Sequence, residues 1–164
     1  MKKLVSIIFM MVVLFSDLNA QNKLTIDALQ FENDDTKGIT TFTGKVKIVR
    51  INDVITCNKM VLYTQAGKNK KTNNRKIKKM VSTGNVKFKL YMKDKIYTGH
   101  GNTVIYEPEK LRYQIIGNGY LEELKDHTKI LGDKIYLDQS TGYANVEGKN
   151  NKPVHFIMNI DAKQ

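Results

Sequence analysis

The sequence predicts an all-β protein, and three observations carry that expectation. Apolar and polar residues alternate with period two through most of the chain, as where Val86, Phe88 and Leu90 are set between Lys87 and Lys89. That is the pattern of a sheet with one dry face and one wet face. A glycine-containing two-strand phrase recurs three times along the chain, and no segment after residue 20 carries the periodicity of an amphipathic helix.

At its start the chain reads as a leader. Lys2 and Lys3 precede an apolar run from Leu4 through Phe15, interrupted only by Ser6 and followed by the more polar Ser16 to Ala20. This is the layout of a secretory signal peptide, residues 1–20, with cleavage after Ala20. The apolar run is shorter than the roughly 20 residues a membrane-spanning helix needs. The alternative for this segment is an uncleaved N-terminal anchor. No cysteine stands near the cleavage site, which argues against a lipid-anchored N-terminus. The remainder, residues 21–164, is expected to be one exported domain.

The first strand is expected at Leu24–Ala28, with Leu24, Ile26 and Ala28 inward, and the polar stretch Glu32–Gly38 should break it. Ile39–Ile48, rich in β-branched residues, is the next strand, and Val54–Tyr63 follows with Met60 and Leu62 on one face. Gly67–Lys79 carries seven Lys and Arg and no acidic residue, so it reads as a solvated loop, either a plain connection or a rim that meets phosphates. Val81–Tyr106 then supplies a glycine turn at Thr83-Gly84-Asn85, an alternating strand, a polar turn at Met92–Lys95, and a second strand with Val104 and Tyr106 on one face. The phrases IIGNGYLEEL from Ile115 and GDKIYL from Gly132 repeat this plan. A turn at Gln139–Gly142, a short strand around Tyr143–Val146, a break at Gly148–Pro153 and a last strand at Val154–Ile160 complete the chain.

Laid against itself, the chain aligns TGKVKI at Thr43 with TGNVKF at Thr83 and IGNGYL at Ile116, and CNKMVL at Cys57 with GNTVIY at Gly101 and GDKIYL at Gly132. The alignment places Ile48, Phe88 and Leu121 at one equivalent position. Met60, Val104 and Ile135 share a second, and Leu62, Tyr106 and Leu137 a third. A unit that cannot bury its own dry face must stack on its neighbours, which gives an elongated structure with a continuous apolar interior.

The 27 Lys and Arg against 16 Asp and Glu give a net charge of +11, so the surface should attract an anionic partner. Export makes nucleic acid an unsuitable one. Cys57 is the only cysteine, so no intramolecular disulfide forms. His100, His127 and His155 stand apart without zinc-ligand spacing, and the glycine pairs Gly99/Gly101 and Gly117/Gly119 lack both the third glycine and the following helix of a dinucleotide fingerprint. No cofactor and no catalysis are expected.

The phrases ITTFTGKVKI with CNKMVLY, YTGHGNTVIYE, and above all IIGNGYLEELKDHTKILGDKIYLD resemble the periplasmic OstA-like proteins of lipopolysaccharide transport, the family typified by LptA. The resemblance runs from about Leu24 to Tyr143. It departs at Gly84-Asn85-Val86, where the family often carries a proline-containing phrase. The fold it implies is a twisted antiparallel open β-jelly roll with an apolar interior groove, and the function is a periplasmic carrier that shields the acyl chains of lipopolysaccharide (lipid A) between the inner and outer membranes. The partners it implies are an LptC-like inner-membrane protein, an LptD-like outer-membrane protein and further copies of the chain, head to tail. Family acyl-contact positions match Leu24, Ile26, Phe88 and Tyr106, and the repeat adds Ile48, Met60, Leu62, Val104, Leu121, Ile135 and Leu137. Two alternatives stand beside this reading: a structural edge-pairing scaffold with a filled core, and an LptC-like membrane-anchored component of the same pathway.

Overall fold

A computed structural model describes residues 23–65 and 76–160. The leader and most of the basic Gly67–Lys79 segment lie outside the described residues. Ten strands run in order: β1 (Leu24–Asp27), β2 (Gln30–Asp34), β3 (Ile39–Arg50), β4 (Asp53–Thr64), β5 (Ile77–Met92), β6 (Lys95–Glu107), β7 (Arg112–Glu123), β8 (Thr128–Asp138), β9 (Ala144–Glu147) and β10 (His155–Ile157). They form one antiparallel sheet in the order β1-β3-β4-β5-β6-β7-β8-β10, with β2 also on β3 and β9 also on β8. The only helical element among the described residues is a single 3-10 turn, Pro108–Lys110, between β6 and β7. The all-β antiparallel fold expected from the alternation is therefore the observed one.

The repeated glycine phrase has a different local form from the turn the sequence suggests. Thr83-Gly84-Asn85 lies inside the sixteen-residue β5, and Gly44 and Gly117 lie likewise inside β3 and β7. In each of these strands the register slips by one residue at the glycine: between Thr43 and Val46, between Thr83 and Val86, and between Ile116 and Gly119. These are β-bulges, and each places a glycine and its successor at positive φ, as at Gly84 (+77°) and Asn85 (+47°). Bulges bend a strand and raise its twist. Stacked on three alternate strands, they coil a long sheet around its apolar side.

The partner strands answer the bulge with a change of face. On β4, Asp53, Ile55 and Cys57 are buried, and so are Met60 and Thr64, with exposed Asn58 and Lys59 between the two sets. On β6, buried Gly101 and buried Val104 are separated by Asn102 and Thr103 in the same way. The phrases CNKM, GNTV and GDKI are thus the sequence form of one event: the inward parity switches opposite each bulge.

Two further departures concern the edges. The first strand stops at Asp27, leaving Ala28 exposed and not inward, and the polar stretch from Glu32 is not the break: a second strand, β2, runs on the same edge of β3 through Asp34, and only residues 35–38 turn. Side-chain and backbone bonds from Thr36 and Lys37 to the Asp34 carboxylate close that turn. At the other end, the strand expected over Val154–Ile160 contracts to three exposed residues on β8.

A methyl group added at Gly84 would meet Asn58 at 2.8 Å in a left-handed backbone, so Gly84→Ala should cost about 1–3 kcal/mol. Gly99→Ala should cost more, because its Cβ would lie 2.1 Å from the Tyr120 carbonyl oxygen and 2.5 Å from the Phe88 ring, and backbone cannot move aside as a flexible side chain can. Urea midpoints of the two variants should fall in that order.

Candidate functional site

The candidate site is the inward face of the coiled sheet. Residues directly opposite across antiparallel strands share a face, so the register defines inward rungs that cross the sheet. The first rung runs edge to edge through Ile26, Ile48, Ile55, Phe88, Gly99, Leu121, Ile130 and Phe156. Every member is apolar, and Gly99 leaves room for the Phe88 ring. A second rung runs through Phe31, Phe42, Met60, Ser82, Val104, Ile115, Ile135 and Val146. The third takes in Thr40, Leu62, Met80, Tyr106, Tyr113, Leu137 and Ala144.

The three equivalent positions read from the repeat are these three rungs. Ile48, Met60, Phe88, Val104, Tyr106, Leu121, Ile135 and Leu137 are fully buried in one apolar cluster, and Leu24, Ile26 and Leu62 pack against it half-buried. Leu24 stands one rung further out, opposite Arg50. The centre of each rung is closed by its own side chains. Towards the edges the same rungs emerge into solvent: Phe31 is 66% exposed at one end of the second and Phe156 is 56% exposed at one end of the first, while Leu29, in the bend between β1 and β2 beside the Gly44 bulge, is 71% exposed.

Where the first and third rungs approach one another near the β5–β6 turn, the interior opens as a cavity of about 460 Å³. Met92, Tyr97, Leu121, Ile130, Leu137 and Tyr143 supply its apolar wall. Lys93, Lys95, Glu123 and Asp138 stand among the charged groups around it. Glu123 is buried but satisfied, accepting backbone bonds from Lys125 and Asp126 and facing Lys95 at 3.6 Å. Asp138 accepts from Ser140 and from the backbone of Ser140 and Thr141, and these bonds hold its carboxyl at about 2, below the ordinary 3.8.

Across the interior sits a polar cluster that the sequence reading missed. Arg50 of β3 donates to the Tyr106 hydroxyl and pairs with Asp53 at 2.7 Å, while the Tyr113 hydroxyl lies 3.4 Å from the same carboxylate. The Arg50 guanidinium also lies over the Tyr106 ring at 4.4 Å, and that ring stacks on Tyr113 with centroids 4.3 Å apart. Asp53 receives the Tyr91 backbone amide at 2.8 Å. Burial pushes the Tyr113 phenol well above its usual range, so it stays a neutral donor. The cluster ties β3–β4 to β6–β7 across β5, which separates them in strand order. The signal was present: Arg50 continues the inward parity of Val46 and Ile48, and Asp53 faces it across a tight hairpin.

Cys57 is buried in the same interior, where burial raises its thiol pKa. Among the described residues no group of three or more His, Cys, Asp or Glu is placed to hold a metal ion. No described helix is long and apolar enough to cross a membrane.

Comparison with known proteins places this geometry. A family model described as LptA/(LptD N-terminal domain) LPS transport protein matches residues 25–143. No curated protein sequence matches the chain. Among solved structures, the chain is similar to LptH from Pseudomonas aeruginosa, the LptA-homologous periplasmic component of the conserved lipopolysaccharide transport device, with a TM-score of 0.69 over 87% of this chain and 98% of that one. At 17% identity that likeness speaks for the fold.

Removing one partner of the buried pair strands the other. Asp53→Ala should therefore cost about 3 kcal/mol in denaturant unfolding, and the double variant Arg50→Met/Asp53→Leu should recover much of that loss. The contribution of Asp138 has a defined pH window. Its folded pKa lies below its ordinary value, so its stabilisation is complete above 3.8 and is lost as pH falls towards about 2. The melting-temperature gap between the native protein and Asp138→Asn should narrow through that window.

Proposed function

The chain belongs to the LptA/LptD N-terminal-domain family of lipopolysaccharide transport proteins, and from that premise we propose that it is a periplasmic carrier of lipopolysaccharide that shields acyl chains along its inward rungs. The observation that carries this reading is the fate of the rungs at the edges. Inward-facing apolar side chains continue beyond the packed centre and stand in water at Phe31 and Phe156, with exposed Leu29 in the bend next to them. A sheet that only filled its own core would have no use for them. Each acyl CH₂ taken from water contributes roughly 0.8 kcal/mol, and a multi-chain lipid needs an extended apolar surface to collect that energy. The 460 Å³ cavity beside Leu121 and Leu137 has the size and apolar wall to take part of a chain.

The carrier reading places the protein in the periplasm, exported by the leader at residues 1–20, and assigns it no catalytic role. The edges suit the bridge arrangement. β1 and β2 leave one side of the sheet unpaired, β9 and β10 leave the other, and an unpaired strand edge is a template for another strand. Head-to-tail addition of this kind does not close on itself. It would join copies of the chain to one another, to an LptC-like inner-membrane protein and to an LptD-like outer-membrane protein.

A photo-crosslinking residue in place of Phe31 or Phe88 should capture lipopolysaccharide in cells, and one in place of the outward Lys87 should not. Phe31→Asp should leave the melting temperature nearly unchanged, because the ring is mostly exposed, yet weaken lipid binding by roughly tenfold. Native mass spectra without any lipid-bound species would favour the edge-pairing scaffold instead. An N-terminal segment retained on the protein isolated from cells would favour the LptC-like anchored form.

A further inference from the structure

The outward face of β3–β5 carries a charge pattern that the groove does not use. Lys45, Lys47, Lys59, Lys79, Lys87 and Lys89 all point away from the interior, because their strand neighbours Val46, Ile48, Met60, Met80, Phe88 and Leu90 are buried. None of the six forms an ion pair with a described carboxylate; Lys79 and Lys89 instead lie over the Tyr63 and Tyr91 rings at 4.7 and 5.3 Å. Near the patch, the acidic residues in register are Asp27, opposite Lys47 at the sheet edge, Asp34, aligned with Lys79 through Ile39 and Tyr63 but paired with Lys37, and Glu122, aligned with Lys89 through Thr98 but paired with Lys129. On β7–β8 the outward charges are compensated, with Glu122 near both His127 and Lys129. The excess positive charge is thus concentrated on one half of the outer face.

We propose that this lysine face docks the protein onto the surface of a bilayer rich in anionic phospholipid. The lysines are spaced along adjacent strands and separated by threonines, as where Thr56 lies between Lys47 and Lys87 in the register. That makes an open lattice of flexible point charges. Such a lattice matches a fluid array of lipid phosphates, since ammonium groups on flexible stems need no fixed ligand geometry. Clusters of four to eight basic residues are attracted to anionic leaflets, and the attraction is screened within a Debye length. An acidic protein partner would fit the same charge, and it is separated from a bilayer by retention on polyglutamate without vesicle binding. Docking through this face leaves the groove edges free and does not depend on lipid occupying the groove.

Co-sedimentation of the purified protein with phosphatidylcholine vesicles, with and without phosphatidylglycerol, tests the inference. The expected result is binding at least about tenfold stronger to the phosphatidylglycerol vesicles, lost in molar salt and lost in Lys47→Glu/Lys87→Glu/Lys89→Glu. The variant should keep the native circular dichroism spectrum and melting temperature, since the three side chains are exposed. Phe31→Asp should bind the vesicles as the native protein does, which separates this face from the groove. Equal binding to neutral vesicles, binding indifferent to the charge reversal, or no vesicle binding alongside retention on immobilised polyglutamate would each overturn the proposal.

Discussion

The structure depends on one backbone constraint: three glycine bulges, at Gly44, Gly84 and Gly117, stacked on alternate strands of a single sheet. An untwisted sheet of long strands would have two flat faces and no interior. The bulges add twist where the strands cross the middle of the sheet, and the strands between them switch inward parity at the same level. Both effects bring the apolar side of β3–β4 round to meet that of β6–β7. The close approach of Gly84 to Asn58 and of Gly117 to Asn102 shows how little room the arrangement leaves.

The coil this produces is held by two kinds of contact. Apolar rungs fill the centre, with Met60, Ile115 and Ile135 entirely shielded. Across them, Arg50 and Asp53 join Tyr106 and Tyr113 in a satisfied polar cluster, and no described buried side-chain polar atom is left without a partner. A buried ion pair adds little net stability over an apolar replacement but strongly penalises arrangements that separate its members. Its effect here is to fix which part of the sheet faces which. The apolar rungs alone would tolerate sliding, since one branched aliphatic contact is much like another.

Much of this was legible in the sequence because period-two alternation reports directly on a pleated sheet. The repeat aligned Ile48 with Phe88 and Leu121, and the register puts all three on one rung. The glycines were legible as positions but not as conformations: a Thr-Gly-Asn triplet has the composition of a turn, and only pairing on both sides of β5 makes it a bulge. Edge strands are the least legible, because their composition reports exposure and not pairing. β2 is polar at Glu32, Asn33 and Asp34 because this edge strand is exposed on both faces, so its composition resembles a loop. Arg50 and Asp53 carry no apolar mark of an inward position, although strand parity points to both.

On the proposed carrier reading, the closed centre bears on where lipid affinity comes from. A side chain already shielded in the lipid-free protein gains nothing from the hydrophobic effect when an acyl chain replaces its protein neighbours; it exchanges one apolar contact for another of similar strength. Ile135 and Val104 therefore shape the path without supplying driving force. Net affinity has to come from apolar area that is wet before binding, which means Leu29, Phe31 and Phe156 at the edges and the wall of the cavity near Tyr97 and Ile130. Such a division suits a carrier better than a storage protein. Lipid would be gained at wet edges, pass a centre where each contact is nearly neutral in energy, and leave without having to climb out of a deep well.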